Sequence, residues 1–572
     1  MLSLESIFPS SFIIKNNPPL FKRWVPTGVG ILILVLLFIP AALLGGVYSG
    51  NVTEMSSGMG IISEHILFAN FATAVGMMVM GVFVFPIIYR FRFLDLLVGG
   101  FSLLIVLSGI SALSESVAVI VLCSFLLGAV RVAIMVAIIF TLAEGVLGVN
   151  VASVLSPPDD TPKTNLDKVN TLRGVAINAI YLLMLSIGQM GSYLTSYIAY
   201  HFRWQYSYLV MMAMAIIGLI ALLVILVPNR ERGRQKVALP PLNATIPSTL
   251  FFLALTYILT YGKTFDWFAD MRISVAGCIA LVSAGWFIVQ QSTTKRKFLD
   301  FKVCTIPGVI LALICFLLVM ILAASSSLTS AIMGLGLKLD TISSAAIGNW
   351  QFLGYAIGAT LNIVMYLRGI HTRWILALGF ALMTISAGYM YFQFQPQVAY
   401  SAMILPTVLR SMGMFMIYAF CGHYGVHELK NAGQQIGTWI CVMMLFRSVM
   451  GPVVGASTYS NAIYHRSQHY IERFAQGVDA TSSTAVSFQR TQMGLMYQGK
   501  SYDEATQMAS LSTKGSVQVQ ATLVALKEIA GWTLWGGVAC VVFVLIFPYN
   551  VWGSEPKVKN IKSHSFNYER VS

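Results

Sequence analysis

Residues 185–208 read LSIGQMGSYLTSYIAYHFRWQYSY. Gly188, Gly191, Ser192, Thr195 and Ser196 recur at three- and four-residue spacing in an otherwise apolar and aromatic run. On a helix this spacing makes a face of small side chains, the surface through which two helices approach closely inside a bilayer. His201-Phe202-Arg203-Trp204 is a very short turn, because a second apolar run follows at once. The unit is a membrane helix hairpin.

The rest of the chain is of the same kind. Of 572 residues, 57% are hydrophobic and 10% charged, and the mean hydropathy is +0.76. Apolar runs in such a chain are membrane spans rather than the core of a soluble domain. The net charge of +14 is accounted for by cytoplasmic loops, so no nucleic-acid partner is implied. All seven cysteines lie in or beside apolar runs, and the long polar segment near the C-terminus has none, so neither a disulfide framework nor a zinc spacing is present. The first 24 residues are polar, and the run after them lacks a clear cleavage site, which reads as a retained first span.

A span needs about 20 apolar residues. Fourteen candidates follow: 25–48, 65–89, 94–113, 116–140, 173–200, 204–227, 246–263, 272–291, 305–326, 342–366, 373–393, 398–422, 436–459 and 529–549. With the N-terminus inside, 23 of the 36 Lys and Arg fall on inside segments, and only Arg203, Lys263, Arg272 and Lys338 fall on short outside loops. That asymmetry places both termini in the cytoplasm. Residues 141–172, with Ser156-Pro157-Pro158-Asp159-Asp160, read as a cytoplasmic loop. Residues 460–528 are polar and poor in Pro and Gly, which suggests short amphipathic helices lying over the outer mouth.

The halves resemble each other. Span 4 contains LLGAVRVAIMVAIIF with Arg131, and span 12 contains LPTVLRSMGMFMIYAF with Arg410. Span 5 carries Gly191-Ser192-Tyr193-Leu194-Thr195 where span 13 carries Gly451-Pro452-Val453-Val454-Gly455. Tyr89-Arg90 and later Gly99 match Tyr366-Leu367-Arg368 and later Gly379. The expected fold is therefore an all-α polytopic membrane protein: two pseudo-symmetric six-helix bundles plus two inserted helices. Its parts are a cytoplasmic N-terminal segment (1–24), an N-terminal bundle (25–227), linker helices and loops (228–304), a C-terminal bundle including the outer segment 460–528 (305–549), and a cytoplasmic tail (550–572). Repeated bundles around a midplane site are a transporter architecture.

The chain resembles the major facilitator superfamily, in particular its fourteen-span drug:proton antiporter branch (Emr multidrug-efflux-like). The resemblance is carried by Gly262…Asp266-Trp267-Phe268 after span 7, Arg410-Ser411-Met412-Gly413 in span 12, Arg447 and Gly451 in span 13, Gln520-Ala521 ahead of Glu528, and Gly191-Ser192…Trp204 at the end of span 5. The chain departs from the pattern at Ser192, where the branch has proline. It also lacks an acid in span 1. The turn after span 2 keeps only FPIIYRFRFLDLLVGG, with Arg90 and Asp95. The resemblance implies efflux of a small organic or amphipathic molecule driven by an ion gradient, multi-pass insertion in a bacterial inner membrane, and a candidate periplasmic adaptor protein at the outer segment.

Three arginines, Arg131, Arg410 and Arg447, lie deep in apolar runs. Intramembrane charge costs about 2.5–3.5 kcal/mol on insertion scales and faces a cavity or a partner. Each arginine either caps carbonyls and pins neighbouring helices or faces a central cavity. Tyr181, Gln189, Tyr193, Asn349, Gln351, Tyr355, Asn362 and Tyr418 either line a binding site or hydrogen-bond between helices. No Asp or Glu falls in the middle of a span; Glu64 and Glu144 at span ends are the coupling candidates. An electropositive cavity keeps open a second function, organic-anion uptake or exchange, and the departures from the family pattern keep open a third, a non-transporting sensor or scaffold. Gly188, Gly191, Ser192, Gly451, Pro452, Gly455, Arg90 and Asp95 are the packing and conformational candidates. His423 and His427 are four apart, but no ligand set completes a metal site, and no phosphate-binding Gly-Lys-Ser/Thr loop occurs. No enzymatic activity and no cofactor are expected.

Overall fold

The structure, a computed structural model, describes residues 19–49, 51–146, 148–149, 151, 163–227, 240–294, 299, 301–337, 339–395, 398–427, 434–476 and 482–547. The Ser156–Pro162 loop, the basic positions 230–236 and 295–297, Lys338, Glu428, Lys430 and the tail 550–572 lie outside the described residues.

Within the described residues the chain is almost wholly helical, as a bilayer demands when every backbone N–H and C=O must find its partner within the segment. Twelve helices are long and apolar enough to cross a membrane. The two remaining predicted spans are helix pairs with a break. Span 1 is Thr27–Leu36 followed by Phe38–Ser49. Pro40 offers no N–H to the Leu36 carbonyl, so the helix cannot run through. Span 10 is Thr341–Asn349 followed by Gln351–Leu367; at Trp350 the N–H turns back to Ile347 O at 3.1 Å, one residue short of the α-helical partner.

The other spans are Ser63–Arg90 (span 2), Phe93–Leu113 (3), Val117–Phe140 (4), Lys163–His201 (5), Gln205–Ile225 (6), Leu242–Tyr261 (7), Met271–Thr293 (8), Pro307–Ala323 (9), Thr372–Gln393 (11) and Ile404–His427 (12). Span 13 begins as Gln434–Leu445, and span 14 is the end of Tyr502–Ile546.

Packing repeats between the halves. Spans 2 and 4, 3 and 6, 3 and 4, 1 and 5, and 1 and 4 are in contact, and each pair recurs eight spans later as 10 and 12, 11 and 14, 11 and 12, 9 and 13, and 9 and 12. The halves meet through span 5 on span 10 and, reciprocally, span 13 on span 2. Spans 7 and 8 pair with each other, and span 7 leans on spans 2 and 13. This is a pair of pseudo-symmetric six-helix bundles with two inserted helices.

The closest crossings are set by glycines that the hairpin at 185–208 does not contain. A methyl group on Gly128 would collide with the Thr73 carbonyl, and one on Gly76 with the Phe125 carbonyl, so spans 2 and 4 cross backbone to backbone. In the other half, a methyl on Gly354 would lie 2.5 Å from Val408 O and one on Gly358 2.9 Å from Met412 O, at the crossing of spans 10 and 12.

The outer segment corrects the expectation of short helices lying over the mouth. Span 13 passes through a π-helical stretch, Phe446–Gly455, and continues as Ala456–Gln476. Ser483–Tyr497 follows, and Tyr502–Ile546 is a single 45-residue helix. At 1.5 Å per residue that helix is about 67 Å long, more than twice the roughly 30 Å hydrocarbon core. Its polar N-terminal half therefore projects as a rod, joined to Ser483–Tyr497 by a turn at Gly499, whose φ of +88° suits glycine alone. Arg466 pairs with Glu528, which also accepts from Tyr470 Oη at 3.1 Å. The sequence contained the reason: with little Pro or Gly between 502 and 528, nothing stops the helix at the bilayer surface.

Candidate functional site

Spans 4, 5, 9, 10, 12 and 13 bring a group of arginines and aromatic rings together between the halves. Tyr181 (span 5) meets Tyr418 (span 12) edge to face, with ring centroids 4.6 Å apart, and Phe316 (span 9) lies 4.9 Å from Tyr418 on its other side. Tyr181 Oη points to Met443 Sδ of span 13 at 3.9 Å. The Arg447 guanidinium carbon stands 5.6 Å from the Tyr418 ring centroid, a cation–π distance. Arg131 is close enough to Arg447 for the two charges to repel, and its buried Nε has no hydrogen-bond partner. Tyr355 of span 10 is within charge range of both Arg447 and Arg410; its hydroxyl donates to Gln351 Oε1 at 2.9 Å. Arg410 is buried and donates from Nη1 to Thr329 Oγ1 at 3.1 Å.

The repeat-related arginines thus differ. Arg131 reaches across to the other half, whereas Arg410 is latched within its own. None of Arg131, Arg410 and Arg447 pairs with a carboxylate; Arg466–Glu528 is the ion pair joining two described residues, and it lies in the outer segment.

The remaining candidates sit around this group. Gln189 packs its amide against Gly348 of span 10, and Asn349 buries an Oδ1 without a hydrogen bond. Tyr193 lies near Tyr400, whose hydroxyl donates to Ser343 O at 3.1 Å, at the predicted outer end of span 10. There Asp340 caps the helix by accepting from Ser343 N–H at 3.3 Å, and hydrogen bonding to Ser343 holds its carboxyl below the usual range. Gly191 approaches the span 1 backbone, where an added methyl would meet Leu43 Cα at 3.2 Å; in the other half Gly451 meets Met320 and Gly455 meets Ala324 on span 9. Gly188 faces open space. Ser192 O accepts from the Thr195 and Ser196 hydroxyls within the same helix. Pro452 lies in the π-helical stretch, the geometry that absorbs its missing N–H. Glu64 is in the first turn of span 2, where it accepts from Ser63 Oγ at 3.2 Å. Glu144 is buried in a π-helical turn after span 4 and accepts from Val151 N at 3.3 Å. Neither acid belongs to the central group. Arg90 and Asp95 are exposed beside the turn between spans 2 and 3.

A second polar group, on the predicted inner side, was invisible in the linear sequence. The Tyr366 ring (span 10) lies over Gly174 (span 5), and its hydroxyl is 2.6 Å from His423 Nε2 (span 12). Asn362 Nδ2 reaches both Asn178 Oδ1 at 3.0 Å and Met416 O at 3.2 Å. Arg173, 3% exposed, keeps Nε and Nη2 without partners and is within charge range of Tyr366. His423 therefore serves an inter-helix hydrogen bond; the side chains of His427 and Glu428 lie outside the described residues. Only the pairing of spans 5, 10 and 12, which no sequence spacing encodes, makes this group.

The site and the fold define a polytopic helical membrane protein whose two six-helix halves enclose a cationic, aromatic centre. No family model matches the sequence, and no curated protein matches it. Among solved structures the chain is similar to the major facilitator superfamily proton:xylose symporter XylE bound to 6-bromo-6-deoxy-D-glucose, at 12% identity and TM-score 0.44, covering 87% of this chain and 95% of that one. It is also similar to an auto-inhibited POT family peptide transporter, at 12% identity and TM-score 0.48, covering 91% and 97%.

Proposed function

We propose that this chain is a secondary active transporter that works by alternating access, its two bundles rocking about the central arginine–tyrosine group. The observation that carries this reading is the reciprocal contact of span 5 with span 10 and span 13 with span 2. Two bundles joined by equivalent seams can exchange which end is open without repacking either interior. A buried polar and cationic group between them, in a chain otherwise built for lipid, is the kind of feature that a cargo site requires. The sequence resemblance adds ion-gradient-driven export of a small organic or amphipathic molecule, a bacterial inner membrane with both termini cytoplasmic, and an adaptor protein at the projecting outer helices.

The test is transport in reconstituted vesicles over a panel of labelled compounds, with and without an imposed proton gradient. Movement of at least one compound against its gradient, driven by the imposed proton gradient or by a solute preloaded on the far side, is expected. A chain that moves nothing across the panel is instead a sensor or scaffold.

A further inference from the structure

The central group contains three guanidinium ions and no carboxylate. Arg131 leaves its buried Nε without a hydrogen-bond partner, Arg447 rests on the Tyr418 ring, and Arg410 has one neutral partner in Thr329. Like charges in a poorly solvated interior repel strongly, and desolvating them is costly unless a counter-charge arrives. Among the described residues no carboxylate supplies that charge, which leaves it for a ligand to supply. A guanidinium fork matches an oxyanion through paired N–H···O bonds. The group is packed among rings: Tyr181, Tyr418, Phe316 and, beyond Tyr355, Phe415, whose centroid lies 6.2 Å from that of Tyr355. Such rings suit a flat apolar body.

We propose that this group binds an organic oxyanion with an aromatic body, and that the chain exchanges one such anion for another across the membrane. The exchange part rests on the transporter reading above. When both ends are sealed over an empty site, the three positive charges are shut in together. When they are sealed over an anion, the charges are offset. The loaded carrier therefore changes conformation readily and the empty one slowly, because a ligand shifts a conformational equilibrium by its differential affinity for the states. The sign of the cargo is opposite to that of a lipophilic cation, and no buried acid is needed as a proton carrier.

The probes are labelled 1-naphthoate and 1-naphthyl phosphate, which separate a carboxylate from a phosphate headgroup, with neutral 1-naphthamide and a naphthyl-trimethylammonium cation as comparators. Vesicles preloaded with unlabelled naphthoate or naphthyl phosphate are expected to take up the same labelled anion rapidly, and empty vesicles slowly. Arg447→Gln and Arg131→Gln should each weaken exchange about 10- to 100-fold, the scale of one charge-assisted hydrogen bond. Arg447→Lys should keep part of it, and Arg368→Gln, at an exposed turn, all of it. Binding of the fluorescent anion to detergent-solubilised protein, measured on variants that elute as single species, reads the site without transport. Preference for the amide or the cation over both anions overturns the anion site and leaves the transporter reading intact. Net uptake into empty vesicles as fast as counterflow overturns exchange. Anion binding without movement of any panel compound overturns the transporter reading while the site stands.

Discussion

At Gly128 the distance between spans 2 and 4 is set by the absence of a single carbon. Gly128 lies against the Thr73 carbonyl and Gly76 against that of Phe125, leaving no flexible side chain to yield. Gly128→Ala should lower stability by about 1–3 kcal/mol, the usual range for overpacking a filled interior, read as a fall in melting temperature in detergent. Gly188→Ala, facing open space, should leave the melting temperature unchanged. The sequence pointed to Gly188 because it begins the small-residue face at 185–208. Spacing identifies which residues share a face, but the neighbour decides whether that face is used, and periodicity carries no neighbour. Gly191 is the member of the same face that meets span 1. The arginines show the same limit. Their depth was legible from the apolar runs around them, but Arg410 turning to Thr329 while Arg131 turns to Arg447 depends on which helices pack beside them.

Among the elements, span 10 holds the halves together. Its outer part touches span 5 through Gly348 and Gln189, and its inner part through Tyr366, Gly174 and the Asn362–Asn178 bond. Opening toward the predicted inner face must break the Asn362–Asn178 bond, whereas the Tyr366–His423 bond joins spans 10 and 12 within one half and is kept. Asn362→Leu and Asn178→Leu should therefore favour the inward-open state. Cys421, buried two residues before His423, is a native reporter: its maleimide labelling, followed by peptide mapping, should rise in both variants. Unchanged labelling would show that this group does not gate. Span 13 has its own device, the π-helical stretch around Pro452. Pro452→Ala restores a backbone donor, so the stretch should shorten toward regular α-helix and its amides should exchange more slowly with deuterium. The spans themselves were legible almost completely, since hydropathy measures what a bilayer selects. The breaks were not: Pro40 and Pro452 sit at two irregular places, but Pro86 and Pro247 lie inside unbroken helices, and Trp350 carries no local signal.

For the whole molecule, the repeat seen faintly at Arg131 and Arg410 is plain in the packing, where the main contacts of the first bundle have their counterparts in the second. Sequence similarity between halves erodes, but the pairing of helices is held by shape and survives. The outer hairpin breaks this symmetry, because spans 13 and 14 both run on into the outer segment, whereas their counterparts, spans 5 and 6, are joined by the short turn at 202–204. Glu528→Gln should loosen the rod from its neighbour Ala456–Gln476 by weakening the bonds to Arg466 and Tyr470, and protease nicking between residues 476 and 502 should then speed up. A helix that runs unbroken from the bilayer into the space beyond also works as a pointer. A few degrees of rocking at its foot becomes several ångströms of travel at Tyr502. A single spectroscopic label there would let the state of a site buried between the two halves be followed from beyond the bilayer surface.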